Sequence, residues 1–282
     1  MEGTSTQTDY NDEDRFSRLH DSVIHYILSF NDTKCAVQTC VLSKRWIDVW
    51  KSLPFLNYNR SSFPNDKKHR FINFVDMVFL CHRQDYDIQR VNVCWENSGF
   101  DDLVTTNVNR WRVNAVHHNV QEISIVIDDY LHNLAYEIPY HLVHCQSLRK
   151  LEIRVSYIAG YVNIILPSSI NLPRLKEMVL SGFSISNLEL SGRLFSSCPV
   201  LETLDILGSD VTIDNGRNLI VDSPSLKRFA YSWSRRNLLP QNDINANIIN
   251  LCAPNLEDFF CSFFFTVVFM ECLWGNCWSI LS

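Results

Sequence analysis

Apolar positions along the chain follow two rhythms. Between residues 14 and 54 they recur at helical spacing, in short pieces. Val23, Ile24, Ile27 and Leu28 fall on one side of a first helix, with Asp21 as its candidate N-cap. Asn31-Asp32-Thr33 reads as a turn, and Thr33 as the cap of a second short helix carrying Ala36, Val37 and Cys40. Ser43 caps a third, on which Trp46, Val49 and Trp50 share a face, and Pro54 ends it by removing a backbone donor. Phe71, Phe74, Val75, Val78 and Phe79 predict one further helix within a linker spanning 55–86.

From residue 87 to 262 the alternation becomes strand-like. An apolar residue, two variable positions, an apolar residue, one variable position and an apolar residue recur. The units are Val120-Ile123-Ile125, Leu148-Leu151-Ile153, Leu175-Met178-Leu180, Leu201-Leu204-Ile206 and Leu226-Phe229-Tyr231. Leu256-Phe259-Cys261 is a weaker copy, and Ile88-Val91-Val93 is a candidate early one. First positions from Val120 onward are 28, 27, 26, 25 and 30 residues apart, around the upper end of the ~20–29-residue period of leucine-rich repeats. Pro173, Pro199, Pro224 and Pro254 each stand two positions before a repeat and end the preceding turn or helix. One such unit cannot bury its apolar face alone, whereas a stack of them builds a continuous core. The fold class expected is therefore α/β: a short all-α three-helix unit followed by an irregular solenoid.

Composition narrows the function classes. With 46% hydrophobic residues in 282, the chain can bury a sizeable core. A formal net charge of −6, with both signs interspersed, supplies no basic footprint for nucleic acid or for a membrane surface. Residues 1–13 are polar and acidic and are expected to be a disordered tail; they show no secretory signal. The ten cysteines are scattered, with no Cys-x-x-Cys pair, and read as thiols of a reducing compartment, cytoplasm or nucleus.

The spaced blocks of the first fifty residues carry a resemblance. Asp14-Arg15-Phe16-Ser17-Arg18-Leu19-His20-Asp21, Ile27-Leu28-Ser29-Phe30 with Thr33-Lys34, and Val41-Leu42-Ser43-Lys44-Arg45-Trp46 with Trp50 resemble, in order, the F-box of plant proteins. Together with the repeats, the chain is similar to plant F-box/leucine-rich-repeat proteins and their FBD-type relatives. It departs from that pattern at His20, where the family usually has Pro, and at Asn31-Asp32, where it usually has Leu-Pro. The resemblance implies an F-box over 14–54 that docks on an S-phase-kinase-associated (SKP) adaptor, and through it on cullin and RING subunits. It implies adaptor contacts at Leu19, Val23, Ile24, Ile27, Leu28, Val41, Leu42, Ser43, Trp46 and Trp50. The repeats would then hold a target protein for ubiquitination, its identity unknown. Two alternatives stay open: an adaptor-binding competitor that completes no ligase, and a small-molecule receptor built on the repeats.

The remaining chemistry is sparse. His117-His118 and His141-x-x-His144-Cys145 lack the second close ligand pair that structural zinc wants. Asp128-Asp129 reads as a turn, because adjacent side chains point apart in extended chain. Phosphate-loop and nucleophile-elbow motifs are absent from the sequence, so neither a catalytic residue nor a cofactor is expected. Residues 263–282 form an atypical tail that opens on the apolar run Phe263–Met270. On the resemblance, it marks a C-terminally shortened product. Read as a membrane anchor instead, the run falls short of the ~20 apolar residues a spanning helix needs, and Glu271 interrupts it.

Overall fold

One strand per repeat, each presenting large aliphatic side chains to the same side, sets the architecture. The computed structural model describes residues 18–64, 66–96, 102–130, 136–157, 162–184, 192, 194–208, 218–232, 247–262 and 265–269. The predicted disordered tail, 1–13, lies outside them.

Helices α1 (Asp21–Ser29), α2 (Thr33–Gln38) and α3 (Lys44–Lys51) come first, with a single 3-10 turn at Thr39–Val41. Strand β1 (Phe55–Asn59), helix α4 (Lys68–Cys81), strand β2 (Arg90–Trp95), helix α5 (Asp102–His117) and strand β3 (Glu122–Tyr130) follow. The chain then continues through β4 (Tyr136–Glu137), β5 (Lys150–Tyr157), β6 (Val162–Ile165), β7 (Glu177–Ser181), β8 (Phe183–Ser184), β9 (Thr203–Leu207), β10 (Asn218–Asp222), β11 (Arg228–Tyr231), β12 (Asn247–Cys252), β13 (Asp258–Cys261) and β14 (Phe265–Phe269). Strands β1-β2-β3-β5-β7-β9-β11-β13 form one parallel sheet in that order, and β4-β6-β8 and β10-β12-β14 form two smaller parallel sheets on the return path.

The repeat positions read from the sequence are the inner face. Ile88, Val91 and Val93, Val120, Ile123 and Ile125, Leu148, Leu151 and Ile153, and Leu201, Leu204 and Ile206 are all buried. The predicted weak copy is weak in space also: Phe259 is 39% exposed. An eighth unit is present that the sequence pattern does not predict. Leu53, Leu56 and Tyr58 are buried and align with Ile88, Val91 and Val93 through the β1–β2 register. Residues 55–86 are therefore more than a linker, because β1 is the first strand of the sheet. Pro54 hid this unit: it looks like a helix stop, yet its carbonyl accepts from both Gln89 N (2.8 Å) and Arg90 N (3.0 Å).

That two-donor bond repeats along the whole array. Gln89 O accepts from Gln121 and Glu122, Gln121 O from Arg149 and Lys150, and Arg149 O from Lys176 and Glu177. Lys176 O, Glu202 O and Lys227 O continue it. Each carbonyl satisfies the two N–H groups that open the next strand, so buried backbone is paired and the register is fixed. The four prolines sit at the second position of turns closed by Leu175 N→Leu172 O, Leu201 N→Cys198 O, Leu226 N→Ser223 O and Leu256 N→Ala253 O. Proline's fixed φ suits that position.

Connector length decides what covers the inner face. The first units are long, Leu53 to Ile88 and Ile88 to Val120, and hold α4 and α5. Phe71 of α4 packs edge-on against Trp95 (5.4 Å) and Trp111 (5.8 Å), and Trp111 donates to Asp76 Oδ1 at 2.7 Å. Later units are shorter and return through the small sheets. The apolar run placed in a tail is part of this: Phe265–Phe269 pairs in parallel with Asn247–Leu251. Among the described residues no helix is long and apolar enough to cross a membrane. Asp128-Asp129 lies inside β3 and is not a turn. Cys252 is disulfide-bonded, against the reading of every cysteine as a thiol. Cys35, Cys40, Cys81, Cys94, Cys145, Cys198 and Cys261 are free.

Gly182 has φ +81°, and a Cβ there would overlap the Val155 carbonyl oxygen. Gly182→Ala is expected to lower stability by about 3 kcal/mol or more, measured by urea denaturation. Separately, His82 and His118 are buried edge-to-face at 4.8 Å, with His82 Nε2 3.0 Å from Leu53 O. Burial holds both below the ordinary imidazole pKa of 6.5; His118 beside His82 and His117 beside His118 act the same way, while Asp85 and Asp87 oppose it. The unfolded chain therefore binds more protons below about pH 6.5, so stability is full above that pH and falls as pH drops through it. The urea midpoint should fall on acidification below about pH 6.5, and fall less in His118→Phe.

Candidate docking surface

The three N-terminal helices divide their apolar residues between two sides. Helix α1 begins at His20, whose Nδ1 accepts from Ser22 N at 3.3 Å. His20 thus performs the capping predicted for Asp21. Asp21, in the first turn, pairs instead with Arg45 at 2.5 Å, and Arg45 also donates to Leu19 O, tying the start of α1 to the start of α3. Asp32, not Thr33, caps α2, accepting from Lys34 N at 2.6 Å. Ser43 occupies the N-cap position of α3, without a side-chain cap bond.

The predicted contact residues separate by burial. Ile24, Leu28, Trp46 and Trp50 are buried, joining Val49 and Ala36 in the common core, and Leu19 packs partly buried against it. Val23, Ile27, Val41, Leu42 and Ser43 face outward, with Val41 84% and Leu42 64% exposed. The side of α1 read as one face is thus two: Ile24 and Leu28 point in, Val23 and Ile27 out.

Tyr26 and Phe30 were not assigned to this surface from the sequence. They are 63% and 73% exposed and meet edge-to-face at 5.0 Å. Val23, Tyr26, Ile27 and Phe30 stand at i, i+3, i+4 and i+7, an apolar stripe turned toward solvent. That periodicity was available in the sequence; which of two apolar stripes is covered was not. Of the fourteen exposed large hydrophobic side chains among the described residues, six lie between Val23 and Leu42. This concentration within one short unit makes it the candidate docking surface, whereas single exposed apolar residues are ordinary.

The sheet's outer face is of another character. Across strands, Arg90 pairs with Glu122 (2.6 Å), Lys150 with Glu177 (2.8 Å) and Arg228 with Asp258 (2.7 Å). Glu202 is held below the usual carboxylate range by hydrogen bonds from Lys176 and Lys227. Neighbours thus neutralise one another, and exposed pairs of this kind add little stability. A cleft of about 200 Å³ opens at the C-terminal ends of β3, β5, β7 and β9, lined by Glu96, Asp128, Arg154, Ser156, Ser181 and Gly182 among others. Among the described residues no group of three or more His, Cys, Asp or Glu could hold a metal ion. His144 stacks on Tyr140 at 4.0 Å and contacts Ser169 at 3.2 Å.

Comparison with known proteins bears on this arrangement. Residues 108–266 match the family model described as FBD-associated F-box protein At5g56370, LRR repeats, a span running from the middle of α5 into β14. The chain belongs to the plant F-box/leucine-rich-repeat family. Relatives from Arabidopsis thaliana include the F-box/LRR-repeat protein At1g55660, 29% identical over 79% of this chain and 59% of its own length. Others are the F-box/FBD/LRR-repeat protein At1g78750, 30% identical over 86% and 51%, and the FBD-associated F-box protein At4g10400, 32% identical over 78% and 51%. The chain thus spans little more than half the length of these relatives. No solved structure matches it. The three helices lie outside the matched repeat span.

Burial separates what substitutions here would do. Trp46→Ala should cost ~3–5 kcal/mol of stability by opening the core. Phe30→Ala should stay within about 0.5 kcal/mol, because the ring is exposed. Thermal or urea unfolding of the two variants side by side checks the contrast.

Proposed function

We propose that the chain is a target-recognition subunit of a cullin–RING ubiquitin ligase of SCF type. In this reading α1 to α3 form an F-box that docks on an SKP-family adaptor, and the adaptor links it to cullin and RING subunits. The observation that carries the reading is the outward apolar set Val23, Tyr26, Ile27, Phe30, Val41 and Leu42, on helices whose Ile24, Leu28, Ala36, Trp46, Val49 and Trp50 are buried. Such a patch is costly to leave in water, and aliphatic and aromatic anchors dominate interface energies. Family membership supports the same reading, since the relatives carry F-box in their names.

The repeat array is then the target-holding part, working in the cytoplasm or nucleus. Its outer face offers paired charges and a small cleft, a surface for recognising a folded or extended protein segment through many weak contacts. The chain supplies no reacting group in this scheme. Holding a target lysine near a ubiquitin-charged enzyme raises effective concentration and fixes orientation.

Co-expression with an SKP-family adaptor tests the docking step. The intact chain should co-purify with the adaptor. A variant carrying Val41→Asp and Leu42→Asp should lose binding by roughly tenfold or more while its far-UV dichroism is unchanged, because both side chains are exposed. Failure of the well-folded intact chain to bind, or undiminished binding by the variant, sinks the reading. Trp46 is unsuitable as a probe, since its loss disturbs the core.

A further inference from the structure

Strand β1 is the first edge of the main sheet, and two of its outward N–H groups are taken up by the helices. Asn57 N donates to Thr33 Oγ1 at 2.7 Å, and Asn59 N to Asp32 Oδ2 at 3.2 Å. Ser62 Oγ donates to the same Asp32 oxygen at 2.9 Å. The other oxygen, Oδ1, caps α2 through Lys34 N. Asp32 therefore has two separable tasks, one on each oxygen: closing its own helix, and bridging to the first repeat.

Asn57 carries the connection further. Its amide nitrogen donates to Ser29 O (2.9 Å) and Asn31 O (3.1 Å), at the end of α1, and its oxygen accepts from Asn92 Nδ2 (2.8 Å) on β2. A continuous path of hydrogen bonds thus runs from the loop between α1 and α2, across the edge strand, onto the outer face of the sheet. Lys34 adds a bond to Ser62 O at 2.7 Å. On the far side of the helices, Lys51 O accepts from Arg83 N at 2.9 Å.

We propose that Asp32, with Thr33 and Asn57, forms a rigid joint that fixes the bearing of the apolar docking patch relative to the outer face of the sheet. Directional bonds determine angle as well as distance, whereas apolar contact alone lets packed elements slide. The patch and the sheet face are the two ends of the scaffold, so a fixed angle between them decides where a bound target is held. That use of the joint rests on the adaptor reading; the joint itself does not. Asp32 is in this sense a positioning residue.

The two oxygens allow the tasks to be separated. Asp32→Asn keeps one oxygen for the Lys34 N–H, and Asn is as good an N-cap as Asp. Its amide nitrogen then faces the Asn59 N–H donor to donor, and the Ser62 hydroxyl can meet it only by rotating to accept. Spin labels on a ketone-bearing amino acid at the exposed positions Lys44 and Arg174 avoid the native thiols. Pulsed dipolar spectroscopy on the full chain should give one narrow distance distribution. In Asp32→Asn combined with Asn57→Ala, the distribution should broaden and its mean shift, with helicity kept. An unchanged distribution in the variant, or a broad one in the parent chain, overturns the joint. If the double variant loses helicity, Ser62→Ala with Asn57→Ala, which leaves the cap alone, is read by the same criterion. No adaptor is present, so failure of the docking reading cannot be mistaken for failure of the joint.

Discussion

A repeat strand with one wholly apolar side is unstable by itself, and nearly every other feature of the chain answers that constraint. Burying a Leu or Ile side chain is worth ~1.5–3 kcal/mol, but only if a neighbour supplies the other wall. The two-donor carbonyls at Pro54, Gln89, Gln121, Arg149, Lys176, Glu202 and Lys227 are what make neighbours line up, because each satisfies both N–H groups at the start of the next strand. With the start of every strand fixed, the apolar positions fall into register and the inner face becomes continuous. The same ladder tolerates units of unequal length, because it anchors only one point per repeat and leaves the connector free to be helix or short strand.

A parallel sheet built this way has two edges, and edges are liabilities unless covered. At β1 the cover is the helical unit, through polar bonds to backbone and through a shared core: Leu53 and Leu56 belong to the same apolar cluster as Trp46 and Trp50. The helices are thus the first cap of the solenoid and, in the proposed reading, also its docking element. This explains how a unit of some thirty residues can leave six large apolar side chains in water. Its own stability does not depend on covering them, because its other side is packed on the array.

Much of the fold was legible because the inner face has a fixed grammar. Leu148, Leu151 and Ile153, or Leu201, Leu204 and Ile206, announce their strands without help from tertiary context. The unit at Leu53, Leu56 and Tyr58 obeyed the same grammar but stood where Pro54 and the preceding helix made a stop the simpler reading. The strand Phe265–Phe269 is not legible for the opposite reason: it pairs on the return side, where the inner-face spacing does not apply. The candidate docking surface is half legible. Apolar positions at 23, 24, 27 and 28 are evident in the sequence, but whether Ile24 or Ile27 faces inward depends on where α3 crosses α1. That is fixed by Trp46 and Val49 and by the Asp21–Arg45 pair, none of which is a local signal.

The two departures from the family's F-box pattern show why a motif mismatch is weak evidence of a lost function. Proline at a helix start contributes a preset φ and removes one unsatisfied donor. At position 20 the histidine ring instead accepts from Ser22 N, so a different free N–H of the first turn is satisfied. At position 32 the aspartate does more than a proline could, since proline has no side-chain acceptor to offer Lys34, Asn59 and Ser62. Both replacements leave the outward residues of α1 and the Val41–Leu42 turn untouched. A substitution at a cap position is therefore to be judged by whether the helix end is satisfied. Here it is satisfied at both, and at Asp32 the new acceptor also binds the helices to the sheet.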